Sequence, residues 1–293
     1  MGFYNISLSK LFLAVISCFS IGNITAQNIE FGIYGGVSNY IGDVSEQTMK
    51  FDQFHPSAAV MGRYNISPKV TLKGTIAYGK VSGADSLANS AANKIRNTNF
   101  TSDIFEFSAQ IEYNLVKYNI GGRGARPFVP YLFGGIGIFH YNPKTTFNGQ
   151  DYELQPLGTE GQGTTQYNEL KKYDLTTVCL PFGFGVKKKV SRSIVVGVEA
   201  GIRLTFTKYI DDIGGKYADV NVVSRAYGPI AGSLANRTSE VASQYPNLSV
   251  AKEGQLRTTA PFLFGTDMYF LAGISVSYIF QNAGQGCPTL FSK

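Results

Sequence analysis

Phe105-Glu106-Phe107-Ser108-Ala109-Gln110-Ile111-Glu112-Tyr113-Asn114-Leu115 alternates an apolar with a polar side chain at every step. A helix would need its apolar residues three and four apart, so a period of two marks a β-strand with one greasy and one polar face. Seven further segments between about Asn28 and Gln281 repeat the pattern. Ile29–Ile41, Pro56–Ile66 and Lys69–Lys80 precede the quoted stretch. Pro127–Tyr141, Leu175–Lys188, Ile194–Thr207 and Asp267–Phe280 follow it. The connections between segments alternate long and short. The long ones are about Gly42–His55, Val81–Ser102, Asn142–Asp174 and Lys208–Thr266. Outer-membrane barrels combine short periplasmic turns with long external loops. The reading is therefore all-β: an eight-stranded antiparallel up-and-down transmembrane β-barrel with long extracellular loops. Its N-terminus lies on the periplasmic side.

The flanks fit an exported chain. Lys10 precedes an apolar run from Leu11 to Ile21, and Ala26-Gln27 suits cleavage, so residues 1–26 read as a signal peptide. The run is too short for a membrane-spanning helix. Val15-Ile16-Ser17-Cys18 also resembles a lipobox, which would lipidate Cys18. Residues 27–281 form the barrel and 282–293 a periplasmic tail. The expected location is the bacterial outer membrane, crossed several times.

Composition narrows the function. The net charge of +6 is modest and the bases are scattered, which argues against nucleic acid. Trp is absent, so the interface girdles fall to Tyr40, Tyr64, Tyr78, Tyr118, Tyr141, Tyr209, Tyr269 and Tyr278, all near strand ends. Cys179 and Cys287 read as unpaired thiols, and no Cys/His spacing suits a metal. Asp211-Asp212 supplies too few oxygens for Ca²⁺ and reads as structural. His140 is expected inside near the outer rim, but no Ser–His–acid set stands out. No cofactor, metal, catalytic residue or small-molecule substrate is expected, and the chain is read as a non-enzyme. The Leu157–Gly163 stretch, rich in Gly, lacks the Lys of a phosphate loop and reads as a turn.

The inward faces carry Arg63, Lys73, Glu106, Gln110, Glu112, Glu199 and Arg203. An eight-stranded lumen is just wide enough for its own side chains, and buried charges persist when paired. A salt-bridged plug is expected, since a diffusion pore takes about 16 strands. The short turns and tail offer a docking surface: Arg123, Arg126, Lys187, Lys188, Lys189 and Cys287 are its candidates, with the Lys run placed on a turn.

Several motifs, taken in order, resemble a known family. They are Ser38-Asn39-Tyr40-Ile41-Gly42-Asp43, Glu106-Phe107-Ser108-Ala109-Gln110 and Pro130-Tyr131-Leu132-Phe133-Gly134-Gly135-Ile136-Gly137. Tyr141-Asn142-Pro143-Lys144, Leu154 through Gly163 and Tyr209-Ile210-Asp211-Asp212 complete the set. Together they resemble the PorG-like outer-membrane barrels of the Bacteroidota. The resemblance implies a structural part of the type IX protein secretion system, with a role in gliding motility where that occurs. It implies contact with a periplasmic ring made of a lipoprotein and a partner protein. The rival expectation is a stand-alone barrel of the OmpA/OmpX type, serving envelope stability or loop-mediated binding.

Overall fold

The computed structural model describes residues 29–45, 49–118, 128–258 and 265–280. The expected leader, Cys18, Arg123, Arg126, Cys287 and the tail 282–293 lie outside the described residues.

Eight strands form the barrel: β1 (Ile29–Ile41), β2 (His55–Asn65), β3 (Val70–Ala84), β4 (Asn99–Asn114), β5 (Val129–Phe147), β7 (Thr176–Lys189), β8 (Ile194–Thr205) and β9 (Met268–Ile279). Each is antiparallel to its neighbours in the order β4-β3-β2-β1-β9-β8-β7-β5, and β4 pairs with β5 to close the ring. Closure leaves no open edge, which is what a sheet in lipid requires. A ninth strand, β6 (Gln150–Glu153), pairs only with the end of β5 and stands outside the ring as a hairpin arm.

Side-chain alternation sorts the wall into two faces. Ile33, Phe107, Ile111 and Phe184 point outward at 66%, 61%, 55% and 62% exposure, whereas Glu30, Arg63, Glu112 and Arg203 are buried inside. The outer face is thus a continuous apolar belt. A soluble protein would not leave so large a patch bare.

The strands outrun their expected ends on one side. β3 continues to Ala84, β4 starts at Asn99 and β5 reaches Phe147, inside segments read as loops. The ladder Val81–Ala84 with Asn99–Ser102 persists there. Its apolar alternation does not, because loops replace lipid as the neighbour: Phe100 and Val44 are both buried.

Two positions show the cost of curling a small barrel. A Cβ on Gly135 would sit 2.1 Å from the Ala109 carbonyl oxygen, so only glycine fits. The β5–β7 ladder skips from the Gly134–Phe182 pair to the Gly137–Cys179 pair. Pro181 lies in that gap and has no N–H to donate.

The girdle reading needs correction. Tyr78 and Tyr278 do face outward, but Tyr40, Tyr118, Tyr141 and Tyr269 are buried. Nearness to a strand end does not decide which face a ring takes. Register does.

Candidate functional site

The lumen is filled by ion pairs in two layers. In the first, Glu112 binds Arg63 Nε at 2.9 Å, Lys187 Nζ at 2.8 Å and Lys73 Nζ at 3.5 Å. Glu199 holds Lys73 Nζ at 2.9 Å and accepts from the Tyr131 hydroxyl at 2.8 Å. In the second, Arg203 Nε donates to Glu106 at 3.0 Å, and Tyr269 donates to the same oxygen at 2.8 Å. Nearer the short-turn end, Glu30 accepts from Asn65, Tyr118 and Ser277. Four acids thus face four bases with almost no solvent contact, the arrangement that lets charge survive burial.

The structure brings together Arg63, Lys73, Glu106, Glu112, Glu199 and Arg203 in this lumen. It also adds Lys187, which corrects its placement on a turn. Lys187 is an inward position near the end of β7. It is 1% exposed, and its ammonium lies over the rings of Tyr118 and Tyr131 at 4.5 and 5.0 Å. Lys188 faces outward and Lys189 is half-buried at the rim. A run of like residues suggests one surface, but a strand deals its side chains to alternate faces.

Above the second layer lies an apolar plug containing Ile104, Phe139, Cys179 and Leu271. The Cys179 thiol is 3.6 Å from the Tyr269 hydroxyl and forms no disulfide among the described residues. His140 corrects another expectation: it faces outward and bonds Thr176 at 3.0 Å. The inward-facing imidazole with a hydroxyl partner is His55, at the long-loop rim, whose Nε2 is 2.6 Å from Ser82 Oγ. Ser82 in turn donates to Gln53. No carboxylate contact orients the His55 ring among the described residues, so the pair reads as a clamp between strands and not as a nucleophile with its base.

The outer mouth is capped by the long loops, and four of the motif segments meet there. Tyr40, closing β1, donates to Asp211 at 2.6 Å and contacts Asp267 at 2.9 Å. Thr159 donates to Asp212 at 2.5 Å, and Glu160 accepts from the amides of Gly214 and Gly215 at 3.1 Å each. Tyr141, Tyr173 and Tyr209 stack nearly parallel, with the Tyr173–Tyr209 centroids 4.5 Å apart. Gly161, at φ +88°, turns the chain where a side chain would strike the Tyr167 ring. Arg96 clamps Asp85 at 2.6 Å and reaches the carbonyls of Asp43 and Arg257.

Asp211 and Asp212, read as one pair, are split by the fold. Asp212 turns to Tyr173, Thr159 and the Arg257 guanidinium. Asp211 joins Asp43 and Asp267, one carboxylate oxygen of each lying within 4.8 Å of the others. This trio is the group among the described residues that could hold a metal ion. Three carboxylates fall short of the six to eight oxygens that Ca²⁺ takes. The oxygens of Asp211 and Asp267 are also engaged by Tyr40 and by the amides of Ile213 and Ile210. Sequence reasoning missed this cluster because its members lie far apart in the chain.

Burial, reinforced by the charge of Asp43 and, for Asp211, by that of Asp267, raises the Asp211 and Asp267 carboxyls above their ordinary range. Burial likewise raises Glu160 to about 7, against the pull of Arg257. These acids hold protons in the folded cap that they would release on opening. Their contribution is fully present below the ordinary carboxylate range and is lost as pH rises through the raised values. Amide exchange at Gly42–Val44 and Ile210–Gly214, corrected for intrinsic rates, should therefore show stronger protection near pH ~5 than near pH ~8.5. Protection that grows with pH would contradict this picture.

Residues 9–231 match a family model described as a domain of unknown function, DUF6089. No curated protein matches the chain. Among solved structures, Ail of Yersinia pestis, in complex with the heparin analogue sucrose octasulfate, is similar at 10% identity and a TM-score of 0.39. That alignment covers 86% of this chain and 97% of Ail. Neisserial surface protein A is similar at 8% identity and a TM-score of 0.40, over 86% of this chain and 97% of its own. OprG of Pseudomonas aeruginosa is similar at 10% identity and a TM-score of 0.35, over 86% and 96%.

Proposed function

We propose that this chain, which belongs to the DUF6089 family, is a structural outer-membrane component of the type IX secretion system. In this reading it anchors the periplasmic ring and carries no cargo through its own lumen. One observation carries the structural half of the reading. The lumen is blocked twice, by paired charges around Glu112 and Glu106 and by the apolar plug above them. A barrel so filled acts through its surfaces. The secretion half is supported by the ordered motifs that resemble the PorG-like barrels, four of which converge on the cap.

A stand-alone barrel acting through its loops is the second reading. Its support is the folded cap, where the helices Val220–Tyr227 and Pro229–Ala235 present an ordered outer surface.

Deleting the gene separates the two. Loss of the barrel should leave type IX cargo in the periplasm, measured by fractionation and immunoblotting. A deletion strain that exports its cargo normally would sink the secretion reading and leave the loop-binding barrel in its place.

A further inference from the structure

We propose that the short-turn end of the barrel binds anionic phospholipid headgroups of the inner leaflet. The proposal stands on charge placement and does not depend on the secretion reading.

The described short-turn end carries bases without exposed acids, whereas the loop end mixes exposed bases such as Lys171, Lys208 and Lys252 with exposed acids. The short-turn segments 66–69, 115–118, 128 and 190–193, with the last two residues of β7, contain no Asp or Glu. They carry Lys69, Lys117, Lys188, Lys189 and Arg192. Lys117, Lys188 and Arg192 are exposed, and Lys69 and Lys189 are half-buried at the rim. The acids of this end, Glu30 and Glu112, are buried in the lumen with their own partners. Exposed acids lie at the opposite end, among them Asp52, Asp151, Glu169 and Glu253.

The bases sit at headgroup depth. Lys188 continues the outward row of Phe184 and Val186, and its ammonium lies 4.9 Å from the centre of the Phe128 ring. Lys69 Nζ lies 5.6 Å from the Tyr113 ring and donates to the Leu115 carbonyl at 2.7 Å. Phe128, Tyr113 and Leu115 are 57%, 50% and 46% exposed, on the lipid-facing side. Aromatic rings of a barrel mark the interface, so ammonium groups stacked on them point at lipid phosphates. A surface meant only for a soluble protein would place its bases on the turn tips. Here two of them are tied to the rings of the apolar belt itself.

The test uses the full chain refolded into phosphatidylcholine vesicles, with spin-labelled phosphatidylglycerol or phosphatidylcholine as the probe. Wild-type protein should immobilise the anionic lipid several-fold more strongly than the zwitterionic one, and salt should reduce the ratio. The variant K69Q/K188Q/R192Q should fold and bring the ratio close to one. Equal immobilisation by the wild type overturns the proposal. So does an unchanged ratio in a correctly folded variant. If the wild type shows no lipid preference while the variant loses a co-purifying acidic periplasmic protein, the face is a protein-docking surface instead.

Discussion

Replacing Glu112 with alanine should destabilise the barrel by about 3–5 kcal/mol, the range seen when one partner of a buried charge cluster is removed. The carboxylate is fully buried and is shared by Arg63, Lys73 and Lys187. Arg63 and Lys73 retain Glu199 as a second acid, at 3.7 and 2.9 Å. Lys187 loses the acid it hydrogen-bonds, and among the described residues its ammonium is left over the faces of Tyr118 and Tyr131. The stranded ammonium is therefore the main source of the loss. Lys187→Met should cost less, because Glu112 would still hold two bases. The double variant Glu112→Leu with Lys187→Met should recover part of the loss, since an apolar pair can replace a buried ion pair. Urea titration in lipid vesicles, followed by tyrosine fluorescence and gel mobility, reads all three. A wild-type midpoint for Glu112→Ala would show that the pairs contribute nothing to the fold.

The barrel was legible in the sequence because lipid imposes one simple rule. Every second residue of a spanning strand must be apolar, as in Phe105 through Leu115. β1 begins and ends at Ile29 and Ile41, as the alternation implies. Where lipid stops, the rule stops. The extension of β5 from Asn142 to Phe147 is held by the edge of β4 and by β6, and neither imprints alternation on it. The stretch Lys208–Thr266 reads as a polar loop, yet its part from Val220 to Gln244 folds into short helices. Its signals were local and faint: Asp219 caps the amide of Asn221, and Gly228-Pro229 divides one helix from the next.

The lumen charges were legible for the same reason as the strands, since inward parity identifies Arg63, Glu112 and Arg203. Which acid meets which base was not, because that depends on the stagger of strands around the ring. Lys187 illustrates the limit. Parity within β7 places it opposite to Lys188, but the run of three lysines at a strand end reads more naturally as a turn. The cap acids were beyond reach altogether. Asp43, Asp211 and Asp267 are joined only when the β1–β2 connection meets both ends of the β8–β9 connection over one mouth.

Ile111→Arg supplies the sharpest test of the belt. Ile111 faces outward at 55% exposure, paired in register with Leu72 and Gly134. The outward row of β4 runs Phe105, Phe107, Ala109, Ile111 and Tyr113 and is continued by Leu115 just past its end, with Lys69 stacked on Tyr113 and Tyr78 against Phe105. Those two aromatic ends bracket the hydrocarbon region, so Ala109 lies near its centre and Ile111 one outward step away, about 7 Å along the strand. An arginine at the midplane of a barrel costs about 2–4 kcal/mol, falling to about 0–1 near the interface. Ile111→Arg should fall near the lower end of that first range, because a long side chain can bend towards the headgroups. Leu115→Arg, beside Lys69 at the rim, should cost at most about 1 kcal/mol. The difference between the two is the informative quantity. It cancels what both share, namely loss of an exposed apolar side chain on the same strand. Equal costs in vesicles would mean that no hydrocarbon layer surrounds β4, and the membrane-spanning reading would fall with it.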